Sequence, residues 1–184
     1  MGDSVNLDLP NVLQQRRACR NFKRDTVPKS LVDKLIYAAS RAPTASNIPY
    51  RHFIIVDDPR VIKSIKQISP SLIANPPLLF IIFTDLKIAL EKAGKVAELS
   101  SLVDSGASGE NVLLEATNLQ LGSQFTMISS MSGIRKILGL PETCRVDLII
   151  PIGYPAASHP KSVRARAGAN AAYRNQFGEP FDQS

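Results

Sequence analysis

The sequence predicts one domain of helices and strands, in which a sheet is covered by helices on both faces. The chain has 184 residues, the usual size of a single domain. Several segments carry apolar residues at helical spacing. The run LLFIIF at 78–83 is apolar throughout, as expected for a strand that is covered on both sides. With no internal repeat and no linker between two cores, residues 1–184 are predicted to form a single domain.

Composition and charge narrow the functional classes. Apolar residues make up 44% of the chain and charged residues 21%, so the chain can bury a normal core and does not resemble a disordered protein. The 22 basic and 16 acidic side chains give a net charge of +6, which suits an anionic ligand but is also ordinary for a soluble protein. The N-terminus has no secretory signal pattern, and no apolar stretch approaches the roughly 20 residues of a membrane span. We therefore predict a cytoplasmic protein without a membrane span.

The cysteines and histidines are too scattered to predict a metal site. Cys19 and Cys144 stand far apart, as do His52 and His159, and none belongs to a ligand spacing. Arginines beside Cys19 would lower its pKa and make it reactive, although a small filler residue is the more ordinary interpretation. Two isolated cysteines are simplest to explain in a reducing compartment.

The N-terminal half predicts two helices followed by a strand, a helix and a strand. In LDLPNVLQQRRACR, the apolar residues recur at helical spacing and Pro10 suits a helix start. VPKSLVDKLIYAASRAP has a clear apolar stripe and is ended by Pro43. RHFIIVDDP predicts a strand and turn, RVIKSIKQI a helix with one apolar face, and PPLLFIIFTD a buried strand.

The next segment is predicted to be a long helix at 104–121, DSGASGENVLLEATNLQL. Gly106 and Gly109 cost up to ~1 kcal/mol each inside a helix. They therefore mark either a surface of close approach or a late helix start. GSQFTMIS then suggests a further strand, SGIRKILGLP a short helix ended by Gly139 and Pro141, and RVDLIIPIGYP a strand.

Residues 156–184 differ in character from the rest of the chain. They show no sustained periodicity, but they contain Tyr173, Phe177 and Phe181. Aromatic side chains that stay exposed forfeit their burial free energy. We therefore predict a C-terminal extension that docks on the body of the domain or on a partner subunit.

The segment RRACRNF at 16–22 concentrates three arginines. If it continued a helix, like charges at spacings of three and four would repel by a few tenths of a kcal/mol per pair, unless an anion lay among them. Nucleic-acid binders usually present a broad basic face with stacking aromatics, whereas only Phe22 lies in this cluster. Guanidinium groups can make paired hydrogen bonds to one phosphate. The cluster thus favours a single phosphate group, and a solvated basic helix end remains the alternative.

The segment RAPTASNIPY at 41–50 places four small residues after a helix-ending proline. Such a loop can lay its backbone against a flat ring, and the Asn47 amide can donate and accept hydrogen bonds in the ring plane. Taken alone, the same residues would also make an ordinary turn.

Five motifs together resemble the FMN-dependent nitroreductase family. RRACRNF, APTASN, DSGASGENVLLEATNLQLGS, ILGLPE and IGYP occur in the order of that family's RRSxRxF, APSxxNxQPW, D-x-G-x-x-xQNLLLAA-xxLGLGS, LGLPE and LGYP. The resemblance covers residues 12–166. It implies an α+β fold with a small, mostly antiparallel sheet flanked by helices, and an intertwined homodimer with two FMN sites at its interface. It also implies an enzyme that takes electrons from NADH or NADPH and passes two of them through FMN to nitroaromatic, quinone or similar electron-poor acceptors.

The resemblance also implies site residues, while flavin-centred chemistry requires no catalytic side chain. The residues placed at the FMN phosphate and ribityl chain are Arg16, Arg17, Ala18 and Arg20, joined by Arg164 and Arg166. The loop residues placed against the flavin across the interface are Pro43, Thr44, Ala45 and Asn47. The backbone segment placed at the redox nitrogen of the ring is Thr126, Met127 and Ile128.

Three departures from the family pattern affect these expectations. Ala18 replaces the usual serine and removes one hydroxyl contact to phosphate, at a net cost of about 1 kcal/mol. Pro49, Tyr50 and Arg51 stand where the family has Gln-Pro-Trp, which leaves the preferred acceptor undefined. Ser71 stands where the family has a cation beside the flavin, and Lys66 is the candidate substitute.

Two other functions stay open at the level of sequence. The same fold could store or consume flavin, or take electrons from a protein donor, as the missing Gln-Pro-Trp and cation suggest. A basic nucleic-acid-binding protein without a cofactor is the third hypothesis, motivated by the net charge and the arginine-rich ends.

Overall fold

The computed structural model describes residues 8–157 and 172–181. In chain order, its helices and strands are α1 (Leu9–Gln15), α2 (Lys29–Ser40), β1 (Arg51–Val56), α3 (Pro59–Gln67), β2 (Leu78–Asp85), α4 (Leu86–Ala93), α5 (Ala97–Asn118), β3 (Gly122–Ser123), α6 (Met131–Leu138) and β4 (Cys144–Gly153). One-turn 3₁₀ helices lie at Ala45–Asn47 and Gly94–Val96. Every helix and strand predicted above is present, although the bounds of two segments differ.

Helix ends follow the residues that the sequence offers. The Asp8 carboxylate accepts the N–H of Asn11 at the start of α1, and Asp58 accepts the N–H of Arg60 at the start of α3. The end of α6 is Gly139, whose φ of 66° is the left-handed conformation that favours glycine. Helix α4 was not predicted, yet Asp85 caps it in the same way by accepting two backbone N–H groups.

The four strands form one sheet in the order β1-β2-β4-β3, and every neighbouring pair is antiparallel. The central strand β2 pairs with both long neighbours, so that Phe80 lies between Ile55 and Ile150. The predicted α+β fold with a small, mostly antiparallel sheet is confirmed.

Helices cover both faces of this sheet. Alternate β2 residues face opposite sides, as strand geometry requires. Leu78, Phe80 and Ile82 join the core formed with α2 and α5, whereas Leu79 and Ile81 join the core formed with α3 and α6. Each fully buried side chain of this kind contributes about 1.5–3 kcal/mol. The apolar run at 78–83 is therefore a strand buried on both faces, as predicted.

Helix α5 has 22 residues and runs through both glycines, so the late helix start is wrong. A Cβ on Gly109 would lie 2.6 Å from Leu148 Cδ1 and 2.8 Å from Phe125 Cε1. Gly109 is thus a point of close approach between α5 and the sheet, while a Cβ on Gly106 would meet nothing within 4 Å. Among the described residues, no helix is both long enough and apolar enough to cross a bilayer.

The segment GSQFTMIS forms less strand than predicted. Only Gly122 and Ser123 form β3, and Thr126 adds a single bridge to Ile149 of β4. A Cβ on Gly122 would lie 2.5 Å from the Cys19 sulfur, so the N-terminal segment packs directly against β3.

In the C-terminal extension, the described residues 172–181 turn back on themselves. Tyr173 bridges Pro180, its ring centroid lies 4.8 Å from that of Phe177, and Arg174 lies over the Phe181 ring. Phe177 is 88% exposed. Docking of the extension therefore stays a prediction.

Candidate functional site

The arginine segment is extended, not helical. Helix α1 ends at Gln15, and the Cys19 N–H then donates to the Ser123 carbonyl at 3.0 Å. Further on, the Lys23 N–H donates to the Tyr154 carbonyl at 2.8 Å, and the Ala156 N–H donates to the Asn21 carbonyl at 3.0 Å. The segment 16–23 therefore lies beside β3 and the end of β4. The helical spacing of the arginines does not apply, because the backbone leaves the helix at Arg16.

The three arginines have different surroundings. Arg16 is mostly buried, and its Nε lies 3.3 Å from Glu110 Oε1 on α5. The Nη1 of Arg17 donates to the carbonyls of Gln14 and Arg16 at 2.7 and 3.0 Å. Arg20 is exposed and makes no ion pair or hydrogen bond within the described ranges. Of the three, Arg20 has the guanidinium that is free to bind an anion.

Arg20 lines a groove of about 400 Å³ between the N-terminal segment and the loop before β2. The lining residues are Arg20, Asn21, Phe22, Ile73, Ala74, Asn75, Ala156 and Ala157. Of the predicted phosphate residues that the structure describes, Arg20 is the one that lines the groove. Ala18 is exposed and bridges Ser123, whereas Arg164 and Arg166 lie outside the described residues.

A second positive charge lies beside this groove. The Lys66 ammonium donates to the Ile73 carbonyl at 3.1 Å and to Oδ1 of Asn75, both of which belong to groove residues. Because Oδ1 accepts from Lys66, the amide NH₂ of Asn75 is the end left to donate elsewhere.

The predicted flavin segment 126–128 is attached to the same loop. The Ser71 hydroxyl donates to the Met127 carbonyl at 2.6 Å, and the Thr126 N–H donates to the Ile149 carbonyl at 3.0 Å. The Oγ1 of Thr126 is buried and has no hydrogen-bond partner among residues 8–157 and 172–181. Met127 is exposed, and Ile128 packs into the core under α3 and α6. Ser71 is therefore a structural contact in this chain.

Cys19, which lies in the arginine segment, is buried. Its Sγ donates to the Asn21 carbonyl at 3.3 Å, and burial raises the pKa of the thiol. A raised pKa is the opposite of what neighbouring arginines predict, because removal from water disfavours the thiolate. The hypothesis of a reactive Cys19 is wrong, and the filler interpretation is confirmed.

The small-residue loop forms a strained turn. Ala45–Asn47 is a 3₁₀ turn in which Ser46 and Asn47 both have positive φ values, 56° and 54°. A residue other than glycine in this conformation costs roughly 1–2 kcal/mol, less for asparagine. Within the turn, the Asn47 N–H donates to the Thr44 carbonyl at 3.1 Å and the Ile48 N–H donates to the Ala45 carbonyl at 3.4 Å. Such backbone bonds contribute only about 0.5–1.5 kcal/mol each.

Asp104 of α5 stabilises the loop further through its side chain. Its side chain is buried, and Oδ2 accepts the Ala45 N–H at 2.8 Å and the Tyr50 hydroxyl. Burial and the bond to Asp104 raise the pKa of Tyr50, so the phenol stays protonated and donates to the carboxylate. A hydrogen bond to a charged group is worth about 1.5–3 kcal/mol.

Arg51 holds the other side of the loop. Its Nη1 donates to the carbonyls of Pro43 and Asp104 at 3.0 and 2.9 Å, and its Nη2 donates to that of Ala42 at 3.0 Å. Burial lowers the pKa of Arg51, with the Asp104 carboxylate opposing the shift. An arginine still stays protonated at neutral pH. Tyr50 and Arg51, two of the three residues that stand where the family has Gln-Pro-Trp, therefore anchor the loop.

Helix α5 holds both the loop and the first arginine of the segment 16–23. Asp104 and Glu110, the partners of Ala45 and Arg16, lie six residues apart on α5, a rise of about 9 Å. No hydrogen bond or ion pair joins residues 43–47 to the groove residues in the part of the chain that the structure describes. Sequence reasoning missed Asp104, although it begins the DSGASGE motif, because a partner 59 positions away leaves no local pattern.

Comparisons with known proteins identify the family and the fold. The Nitroreductase family model matches residues 13–74 and 61–154. A protein of Methanothermobacter thermautotrophicus with the provisional name NADH dehydrogenase/NAD(P)H nitroreductase is 29% identical over 161 residues, covering 84% of this chain and 81% of that one.

Solved structures show the same fold. The FMN-dependent nitroreductase of Clostridium difficile superposes with a TM-score of 0.79 at 25% identity, covering 92% of this chain and 100% of that one. The NADPH:FMN oxidoreductase of Vibrio harveyi, solved with NAD+, has a TM-score of 0.80 at 20% identity, covering 92% and 78%. With the family model matching well over half of the sequence, the chain belongs to the nitroreductase family.

Proposed function

We propose that this protein is an FMN-dependent NAD(P)H oxidoreductase that passes two electrons to small electron-poor acceptors such as nitroaromatics or quinones. The observation that carries the proposal is the exposed Arg20 guanidinium, unpaired within the described residues, at a groove of about 400 Å³ in a chain with the nitroreductase fold. Related proteins named for FMN and for NADPH support the choice of cofactor and co-substrate.

The residues present fit a bound flavin mononucleotide. Arg20 would hold the phosphate, and Arg16 would share its charge between Glu110 and the phosphate. The orphaned Oγ1 of Thr126 is a buried polar atom for which a polar ring edge would be a partner. When bound, FMN supplies the hydride and electron chemistry.

Lys66 would supply the positive charge that Ser71 does not. Its ammonium is held against Asn75 and the Ile73 carbonyl, so the charge stays beside the groove without blocking it. A fixed cation near a mostly excluded site favours an electron-rich ligand over a neutral one. This role goes to Lys66 because Ser71 is occupied by the Met127 carbonyl.

The same proposal includes a homodimer. On α5, Leu99, Leu102 and Val103 are exposed by 69%, 47% and 65%, and they form an apolar strip on the side of the helix away from the sheet. Contiguous exposed apolar side chains of this kind mark an interaction surface. A second copy of the chain would cover the strip and bring its loop 43–47 to the partner's groove. We also place the protein in the cytoplasm, where its two free, buried cysteines would stay reduced.

The first experiment is an absorption spectrum of freshly purified protein, followed by anaerobic titration with NADH or NADPH. A yellow protein that either nucleotide bleaches, and that a nitroaromatic or quinone recolours, is the expected result. A yellow protein that neither nucleotide bleaches would point to flavin storage or a protein electron donor. A colourless protein that gains no FMN would refute the proposal.

The Arg20→Ala variant tests the phosphate contact. Losing one charge-assisted hydrogen-bond donor should weaken FMN binding by roughly 10- to 100-fold, measured by quenching of flavin fluorescence. Arg60→Ala on α3, whose guanidinium pairs only with Asp58 in the described structure, is the matched control and should keep the original Kd. Equal affinities for Arg20→Ala and Arg60→Ala would place the phosphate elsewhere.

A further inference from the structure

We propose that Asp104, together with Tyr50 and Arg51, is a positioning unit that sets the conformation of the loop 43–47 for flavin binding. The inference rests on the proposed function, because it assigns a role toward the flavin. Tyr50 and Arg51, which differ from the family pattern, would then support the loop from inside the protein and would not contact the electron acceptor.

The hydrogen bonds of Asp104 go to the loop and to the residues just after it, and not to a reacting group. A single carboxylate oxygen, Oδ2, accepts two hydrogen bonds. One comes from the Ala45 N–H, at the first position of the strained turn, and the other from the Tyr50 hydroxyl, shortly after the turn. The backbone carbonyl of Asp104 accepts a hydrogen bond from Arg51 Nη1. Asp104 thus joins both ends of the turn to α5.

Arg51 and α5 hold the chain that enters the loop. Arg51 donates to the carbonyls of Ala42 and Pro43 and so ties this stretch of backbone to β1. Further along α5, the Ser108 hydroxyl donates to the Ala39 carbonyl at 2.7 Å and the Asn111 amide donates to the Ala38 carbonyl at 3.1 Å. Side chains of α5 or β1 therefore bind four carbonyls of this stretch, those of Ala38, Ala39, Ala42 and Pro43.

The consequence is a pre-formed turn. Ser46 and Asn47 have backbone conformations that an unsupported chain populates poorly. A loop that is already in this conformation pays less ordering entropy when a ring binds against it. Asp104 should therefore affect flavin affinity and flavin spectrum without touching the flavin.

The test compares Asp104→Asn with Asp57→Asn, an exposed aspartate that receives the same chemical change. Asp104→Asn removes the charge opposite Arg51 and is expected to weaken FMN binding at least about tenfold and to shift the visible flavin spectrum, with the protein still folded. Asp57→Asn is expected to match the wild type. Wild-type affinity and an unchanged spectrum in folded Asp104→Asn would overturn the inference.

Ala45→Pro isolates the single hydrogen bond. Proline has no N–H, suits the first position of a turn, and is compatible with the extended conformation of Thr44 before it, φ −131° and ψ 135°. In the Ala45→Pro background, the hydrogen bond from residue 45 to Asp104 is already absent. Asp104→Asn should therefore change the logarithm of the FMN Kd by less than half as much as it does in the wild type. Full additivity of the two changes would contradict the positioning role.

Hydrogen exchange of the peptide that covers residues 42–49 provides a readout that needs no flavin. The Ala45 amide should exchange faster in Asp104→Asn, and to a smaller extent in Tyr50→Phe, than in the wild type. This measurement decides whether Asp104 sets the conformation of the loop, even if the wild-type protein does not bind FMN. Unchanged exchange in both variants would refute it, and Tyr50→Phe serves if Asp104→Asn does not fold.

Discussion

The two halves of α5 are attached to the sheet by different chemistry. In the C-terminal half, Val112, Leu113 and Ala116 are buried in the apolar core with β2 and β4. In the N-terminal half, the buried side chains are Ala97 and three polar residues, Ser101, Asp104 and Ser105, each of which is hydrogen-bonded.

The polar half is organised around an ion pair on β4. Asp147 accepts hydrogen bonds from Arg145 Nε at 2.5 Å and from the hydroxyls of Thr84 and Ser105 at 2.5 and 2.7 Å. Arg145 in turn donates to Ser101 at 2.8 Å. Apolar packing is non-directional, whereas hydrogen bonds define an orientation. The C-terminal half of α5 therefore contributes mainly apolar burial, while hydrogen bonds hold the N-terminal half in a defined orientation on β4.

Asp147→Ala should have the largest effect on stability. The Asp147 side chain is 1% exposed, and its loss would leave Arg145 and two hydroxyls without their acceptor. Breaking one partner of a buried pair costs about 3–5 kcal/mol of unfolding free energy, measured by urea denaturation. Asp33→Ala, which breaks the exposed pair with Lys29, should cost less than ~1 kcal/mol.

A double variant sharpens this prediction. Arg145→Met with Asp147→Leu removes both charges and should recover part of the stability lost in Asp147→Ala. If the double variant were no more stable than Asp147→Ala, the cost would come from packing and not from the unpaired charge.

Leu113→Ala should have the next largest effect, and one of a different kind. Leu113 is buried in the apolar core, so its truncation should cost about 2–4 kcal/mol through lost burial and a cavity. FMN affinity, measured well below the unfolding temperature, should stay within about threefold of the wild type. A loss of affinity as large as that of Asp104→Asn would remove the distinction between the two halves.

Glu110→Gln should have the smallest effect. Glu110 lies between the two halves and is partly exposed where it pairs with Arg16, so the stability should change by less than ~1 kcal/mol. With one carboxylate fewer beside Arg16, FMN should bind about two- to fivefold more tightly. Weaker binding of FMN to Glu110→Gln would show that the ion pair positions Arg16 instead of competing for it.

Prediction from sequence was most successful where the signal is periodic. The apolar stripe of α2 and the continuous run of β2 specify a helix and a doubly covered strand through their own spacing, and both were confirmed. The helix predicted at 104–121 in fact begins at Ala97, and the alternative of a late start stayed open because glycine cost was judged from helix propensity alone. Packing overrides that cost at Gly109, where only a hydrogen lets α5 approach Leu148.

Sequence patterns sufficed for the α-helices other than α4, for the long strands, for the covered sheet and for the family, because these depend on periodic patterns and ordered motifs. Only the tertiary structure decided what each site residue contacts. Arg16 pairs with Glu110, Cys19 is buried, and Ala45 is held by Asp104, all through partners far away in the chain. Hydrogen bonds and ion pairs between distant segments depend on how the elements pack, and they leave no periodic trace in the sequence.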